Sequence, residues 1–360
     1  MRCRACAGDR LDPVFGMSPM PLAGSFPATL EAAIAEPRYP LTWYWCADCG
    51  LVNVAPDIPS EAIFSTYSYA ASTVPGLVRH HGEFAAWLAA RHPGPTSVLE
   101  VGCNDGVLLR QLPRAWHKVG VDPSDVAAAA VDGSYLLVNA PFRGGLGRFD
   151  VVVSSNTLAH LSDIGAALDA IRDSLAPGGR AYIEVHDLAA TLASGQWDTI
   201  YHEHKAEWSV PALLVAGLRH GLALEAWEHR PLHGGLIRAT FRADPPPIPT
   251  AVERPDFSGL VATYAGRRDT AAYRTMLAGG VAYGAAGRAS VYLNQLPELP
   301  IRYVVDAAPL RAGRYIAGVG IPVVPPEDFG DPDRALITAW NHAPDIMARH
   351  PDYHRWVTAW

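Results

Sequence analysis

Ser97-Val-Leu-Glu-Val-Gly-Cys-Asn-Asp-Gly-Val-Leu-Leu109 is the stretch on which the fold turns. Ser97 to Val101 reads as a short buried strand, Gly102 and Gly106 mark a tight turn, and Val107 opens a helix. Strand, glycine turn and helix in that order form the corner of a doubly wound α/β domain, where ligands sit off the carboxyl ends of the strands. A dinucleotide corner would read G-x-G-x-x-G, with a pyrophosphate against bare backbone at the helix N-terminus. Here Asn104 and Asp105 hold those positions. An acidic side chain there repels a pyrophosphate and suits a cation, so the turn leans towards S-adenosylmethionine (SAM), a sulfonium that also carries an ammonium group. About twenty residues on, Val119-Gly-Val-Asp122 is a second strand ending in an acid, the usual place for a ribose hydroxyl pair.

Outward from this corner the pattern repeats. Phe149 to Ser155 is an apolar strand ending at Asn156, and Asp163 to Leu175 has helical periodicity. Pro177-Gly178-Gly179 closes that helix, and Arg180 to Val185 is the next strand. Such alternation predicts a parallel sheet. His160 follows a strand's carboxyl end, where it either faces the ligand or holds a loop. Upstream, Val78 to Arg91 reads as an amphipathic helix with Phe84, Trp87 and Leu88 on one face. Downstream, a helix over Val210 to Gly221 precedes strands at Leu222 to Glu228 and Leu236 to Phe241, which flank His233-Gly234-Gly235. Those glycines mark either close approach to a ligand or a hairpin turn. Arg238 could meet a phosphate. Pro245-Pro-Pro-Ile-Pro249 is a stiff linker, and after it Tyr283-Gly-Ala-Ala-Gly287-Arg288 follows a strand signal and opens a helix to Leu296. Arg288 near that helix N-terminus suits a phosphate ligand. Ile301 to Asp306 supplies the next strand of this second nucleotide-type corner.

Cys3-Arg-Ala-Cys6 and Cys46-Ala-Asp-Cys49 are two C-x-x-C knuckles. Together they can place four thiolates on one tetrahedral ion, and structural zinc is the natural staple for so short a domain. The alternatives are a disulfide pair or two unrelated reactive pairs. Cys103, in the turn, reads as a small packed thiol. The start of the chain lacks a signal-peptide apolar region and no run approaches the roughly 18 to 20 apolar residues of a membrane span, which predicts a cytoplasmic protein. A net charge of -7 without a basic stripe argues against nucleic acid. The expected partner is a small molecule and the expected state a monomer.

Two polar clusters remain. Phe64, Tyr67 and Tyr69 precede Ala70-Ala-Ser72, and the two tyrosines share a face if that segment is extended. Trp197-Asp-Thr-Ile-Tyr201-His202-Glu203-His204 is the densest polar stretch of the chain. It lacks the spacing of a zincin. His202 and His204 could chelate a metal from an extended segment, a His could move a proton at neutral pH with Glu and Tyr orienting it, or the stretch is simply a polar loop.

Taken in order, these pieces resemble the C-methyltransferases that act on nucleotide-activated deoxysugars in antibiotic pathways. The likeness runs over nearly the whole chain: the cysteine pairs, Pro21-Leu-Ala23, Phe64 to Ser72, Glu100-Val-Gly-Cys-Asn-Asp-Gly106, Asn156-Thr-Leu-Ala-His160, Tyr201-His-Glu-His204, His233-Gly-Gly and Tyr283-Gly-Ala-Ala-Gly287. The resemblance implies three parts: a zinc-binding domain (residues 1–60), a Rossmann-like SAM-dependent methyltransferase domain (61–244) and a C-terminal α/β domain that helps hold the nucleotide sugar (245–360). It implies Cys3, Cys6, Cys46 and Cys49 as ligands of structural Zn2+, and Glu100, Gly102, Asn104, Gly106, Asp122, Asn156 and His160 around SAM. It further implies a thymidine diphosphate (TDP) 4-keto sugar methylated at carbon 3, held in part by His233, Arg238 and Arg288. His204 would be the base, Tyr201 and Glu203 its partners, and Tyr67 or Tyr69 a further donor to the enolate oxygen.

The chain departs from the family pattern at three places. Lys205-Ala-Glu-Trp208 replaces an aromatic-rich stretch, Val185-His-Asp187 stands where a proline and an aromatic are usual, and Asn53 stands where a glutamine is common. All three are expected to border the acceptor. Other readings of the same features are a methyltransferase for a non-sugar or already glycosylated acceptor, a non-catalytic SAM- and zinc-binding scaffold, and a nicotinamide oxidoreductase, which Asp105 and the missing third glycine disfavour.

Overall fold

The computed structural model describes residues 1–59, 63, 70–243, 252–268 and 271–358. Phe64, Tyr67, Tyr69 and the linker Pro245 to Pro249 lie outside the described residues.

Three sheets organise the chain. The first contains β1 (Leu11–Met20), β2 (Tyr39–Cys46) and β3 (Val52–Ala55), all antiparallel, and is completed from far along the chain by β9 (Ala206–Glu207), which pairs with β3. The central sheet contains β4 (Ser97–Val101), β5 (His117–Val121), β6 (Leu136–Val138), β7 (Phe149–Ser155), β8 (Leu175–His186), β10 (Leu222–Arg230) and β11 (Leu236–Ala243). Its order is β10-β11-β8-β7-β4-β5-β6, and β11 alone runs against its neighbours. The third sheet is parallel, ordered β14 (Val323–Val324), β13 (Val304–Val305), β12 (Val281–Tyr283), β15 (Ala335–Ile337) and β16 (Trp356–Thr358).

β4 has Val98, Leu99, Glu100 and Val101 all buried, as a parallel strand covered on both faces requires. The chain runs from β4 out to β6 and then returns to β7 on the other side of β4. That reversal leaves a crevice at the carboxyl end of β4. Gly102 and Gly106 both have φ of +75°, and a Cβ at Gly102 would lie 2.0 Å from the Thr157 Oγ1. The turn therefore needs both glycines.

Two expectations change. Pro177-Gly178-Gly179 does not separate helix from strand. The helix ends at Asp173, and the triplet lies inside β8, where the register against β7 slips between Phe149 and Val151. The N-terminal domain is also more than a zinc staple. Phe15, Met20, Leu41 and Trp43 enter one core with Trp197, Tyr292 and Leu336 of the rest of the chain, so the first sheet is built into the molecule.

Candidate active site

The cofactor corner comes first. Glu100, Gly102, Asn104 and Asn156 line one cavity at the carboxyl ends of β4 and β7. Asn104 and Asn156 hold positive φ angles of 48° and 55°, conformations that asparagine tolerates better than most residues. Burial pushes the Glu100 carboxyl well up, and the neighbouring Asp122, Asp105 and Glu184 add to the shift. A buried acid crowded by acids gains most from a cation, which fits the sulfonium and ammonium of SAM. The Asp122 carboxylate accepts from the Asn104 N–H (2.9 Å) and from the Ser124 N–H (2.9 Å), which fixes it at the end of β5.

Asp105 works differently from the sequence expectation. Its buried carboxylate accepts from the Ser72 N–H at 3.0 Å, and Asn104 accepts from the Ala71 N–H at 2.9 Å. The pair therefore fastens the segment after the aromatic run across the mouth of the cofactor turn. Burial pushes the Cys103 thiol up, which makes it an inert packing group.

Sequence reading missed His81, which lines the same cavity from the helix Pro75–Arg91. Burial lowers its pKa to about 4. The signal was present: Leu77, His80, His81, Phe84 and Leu88 follow helical spacing on the buried face, whereas the sequence expectation put only Phe84, Trp87 and Leu88 there.

A second polar cluster lies beside this cavity. His204 is buried, its Nδ1 lies 3.1 Å from the Thr199 carbonyl oxygen and its Nε2 lies 2.8 Å from the Tyr201 hydroxyl. A carbonyl can only accept, so Nδ1 carries the proton and Nε2 presents its lone pair to the tyrosine O–H. Burial, then His186 and His160, hold the His204 pKa well below the ordinary range, which keeps the ring neutral at neutral pH. Glu203 faces the other way, where its Oε1 accepts from the Gly24 N–H at 2.7 Å and so ties the Pro21 segment to this loop. His160 donates from Nδ1 to the Glu203 carbonyl (2.7 Å) and packs its ring 5.1 Å from that of His204. It stands beside His204 and is not among the residues lining the cavity with Glu100 and Asn104. His202 points away to the Pro40 carbonyl, and so cannot share a metal with His204.

The C-terminal part of the chain packs against this cluster. A Cβ on Gly287 would lie 3.2 Å from the Tyr201 ring, a tight contact, so the glycine lets the helix Gly287–Gln295 pack closely against Tyr201. Arg288 from that helix donates to Gln196 (3.3 Å) and to the His233 carbonyl, and lies 3.9 Å from Asp198. His233 also lines the cofactor cavity. Arg238, expected on a phosphate, is instead fully buried in β11, paired with Glu184 at 2.7 Å and lying over the Phe84 ring. Its charge is matched inside the sheet.

The four cysteine sulfurs lie within 4.8 Å of one another, with Cys3 and Cys49 at 3.6 Å and Cys6 and Cys46 at 3.6 Å. A tetrahedron with Zn–S bonds of about 2.3 Å puts sulfurs about 3.8 Å apart, so the cluster fits zinc, whereas no pair approaches the disulfide length of about 2.05 Å. Asn53 belongs here and not at the acceptor. Its Nδ2 reaches the Cys3 sulfur at 3.6 Å, while its Oδ1 accepts from the Arg4 N–H.

A glycine corner with an acidic cradle at the switch point of this sheet defines a SAM-dependent methyltransferase, and residues 74–226 match the methyltransferase domain model. Residues 3–64 match a zinc-binding domain and residues 276–360 the C-methyltransferase C-terminal domain. C-methyltransferase NovU of Streptomyces niveus is 30% identical over 98% of this chain and 92% of its own length. The chain belongs to the deoxysugar C-methyltransferase family. Among solved structures it is similar to magnesium protoporphyrin IX methyltransferase ChlM of Synechocystis PCC 6803 with bound SAH (14% identity, 47% of this chain and 84% of that one, TM-score 0.39). It is also similar to the glycopeptide N-methyltransferase MtfA (16% identity, 45% and 94%, TM-score 0.36). Among the described residues no helix is long and apolar enough to cross a membrane.

Proposed function

We propose that the protein removes a proton from carbon 3 of a TDP-activated 4-keto deoxysugar and methylates the resulting enolate. The observation that supports this most strongly is the buried His204 paired with the half-buried Tyr201, with the imidazole held neutral and its lone pair at Nε2.

A C–H beside a ketone becomes acidic enough to lose its proton when a base is positioned and the enolate oxygen is stabilised. His204 Nε2 takes that proton, and the C–H electron pair moves into the enolate. The Nδ1–H bond to Thr199 keeps the ring oriented while it is positively charged. The Tyr201 hydroxyl, released from Nε2, is the donor for the developing oxyanion. SAM, when bound, supplies an electrophilic methyl group to the nucleophilic carbon. Glu100, Asn104, Asp122 and Asn156 are the residues that would hold it. Arg288 and His233 are assigned to the diphosphate end of the acceptor. Residues 1–60, 61–244 and 245–360 are taken as the zinc-binding, SAM-binding and nucleotide-sugar domains.

The test is incubation with methyl-labelled SAM and a panel of TDP-keto sugars, followed by mass analysis of the sugar. Methyl gain on a 4-keto sugar is expected. SAM binding without transfer to any of them would overturn the sugar assignment, and absence of SAM binding would overturn the whole reading.

A further inference from the structure

Two of the departures from the family pattern meet in space. Among the described residues, two groups of side chains can bring three or more ligand atoms together: the four cysteines, and His186, His204 and Glu207. The second group follows from the topology. Asp187 at the end of β8 forms a parallel bridge with Trp208 after β9, and the Leu188 N–H donates to the Trp208 carbonyl at 2.7 Å. That bridge sets His186 beside Glu207. The three ligand atoms then lie within 4.8 Å of one another, the His186 and His204 ring centroids are 4.7 Å apart, and Glu207 Oε1 is 3.7 Å from His204 Nδ1.

Glu207 is fully buried and neither carboxylate oxygen has a hydrogen-bond partner. Leaving a buried carboxyl unpaired is costly, so the group calls for a cation or a donor that the surrounding protein does not supply. His204 gives Nδ1 to Thr199, and His186 packs its ring against those of His204 and His233.

We propose that His186, His204 and Glu207 form a binding site for a borderline divalent cation of the zinc class, and that occupancy removes His204 from proton transfer. Two imidazoles and one carboxylate suit such metals better than Mg2+ or Ca2+, which prefer oxygen ligands, and three protein ligands leave a position open towards the acceptor. The ligand atom of His204 is Nδ1, the nitrogen facing Glu207. Binding there requires the ring's single proton to shift from Nδ1 to Nε2, and it breaks the bond to Thr199. With that proton on Nε2, the lone pair that would take the substrate proton is gone. Arg288 stands nearby as an opposing charge, partly balanced by Asp198 at 3.9 Å, which makes this a weaker site than the four thiolates. The blocking of transfer rests on the proposed role of His204; the binding does not.

The experiment uses the full chain with its cysteine site already loaded with zinc. Cobalt(II) is titrated in, followed by its visible d–d bands and by metal content. One equivalent beyond the zinc is expected, without the charge-transfer band that thiolate ligands give. Glu207→Gln and His186→Phe should each weaken it at least about tenfold while zinc content and SAM affinity hold at wild-type values. Glu207→Gln preserves shape and guards against a folding artefact in the larger change. In the transfer assay, zinc or cobalt at binding concentrations should inhibit the wild type and spare Glu207→Gln. No second equivalent, or one that survives in both variants, would overturn the site. Binding without inhibition would overturn the blocking of His204. A protein that binds cobalt as described yet methylates none of the keto sugars would count against the acceptor assignment and leave the metal site standing.

Discussion

Replacing Gly102 with alanine tests the cofactor corner directly. The backbone there has φ of +75°, and forcing an alanine into that left-handed region costs about 1 to 2 kcal/mol. The new Cβ would lie 2.0 Å from the Thr157 Oγ1 and 2.5 Å from its Cγ2, so the threonine must move. Its hydroxyl donates to the Val101 carbonyl at 3.0 Å, tying the loop after β7 to the end of β4. Losing that bond costs about 1 kcal/mol, and the residual overlap costs about 1 to 3 kcal/mol more. The total, roughly 3 to 6 kcal/mol, is a large part of a typical domain's stability. Urea denaturation would measure it and calorimetric titration with SAM would report the corner itself, where a loss of at least tenfold is expected, about 1.4 kcal/mol. The Thr157→Ala change removes the two closest contacts and leaves the φ cost. A double-mutant cycle should therefore return about 1 to 2 kcal/mol of favourable coupling. A Gly102→Ala protein within about 0.5 kcal/mol of wild type, or strictly additive mutations, would refute this account of the turn.

Three further outcomes are expected. Cys49→Ser should release the zinc, lowering metal content by one per chain, and should unfold at lower denaturant, since metal binding contributes to folding in such domains. Burial alone would raise Glu184, but the His80 hydrogen bond and charge, Arg238 and Ser155 outweigh it and hold it down to about 2. Its stabilising effect is therefore present above the unfolded pKa of about 4.3 and is lost as pH falls through about 2. In acid titrations of stability Glu184→Gln should flatten that limb, and at neutral pH it should cost about 3 kcal/mol by leaving buried Arg238 with only the half-exposed Glu228 as a charged partner. Tyr201→Phe should lower kcat about a hundredfold with SAM affinity unchanged, as removal of one oxyanion donor does; a wild-type rate would remove the hydroxyl from the mechanism.

The cofactor corner was legible because its constraints are local. Glycine at positive φ, alternating strands and helices, and an acid at the next strand end all leave marks within a few residues. The C-x-x-C pairs were legible for the same reason. What stayed hidden depends on pairing across the chain. Glu207 stands out in sequence only as part of a departure from the family pattern, and nothing there sets it next to His186 until β9 joins β3 and the Asp187–Trp208 bridge brings the two together. Arg238 looked free for a phosphate because nothing in sequence places Glu184 opposite it in the next strand, where the register pairs the two residues. Asn53 was expected near the acceptor but joins the cysteine cluster, since its partner Cys3 lies at the far end of its own domain. His81 does carry a local mark, since its spacing with Leu77, Phe84 and Leu88 puts it on the buried face of the helix.

The central claim is that His204 takes the carbon-bound proton. Its most direct measurement is methyl transfer by His204→Asn, with SAM affinity determined on the same preparation. The account predicts wild-type SAM binding and no methyl gain on the keto sugar, together with no exchange of the carbon 3 hydrogen for solvent deuterium. Transfer or exchange at the wild-type rate would contradict it.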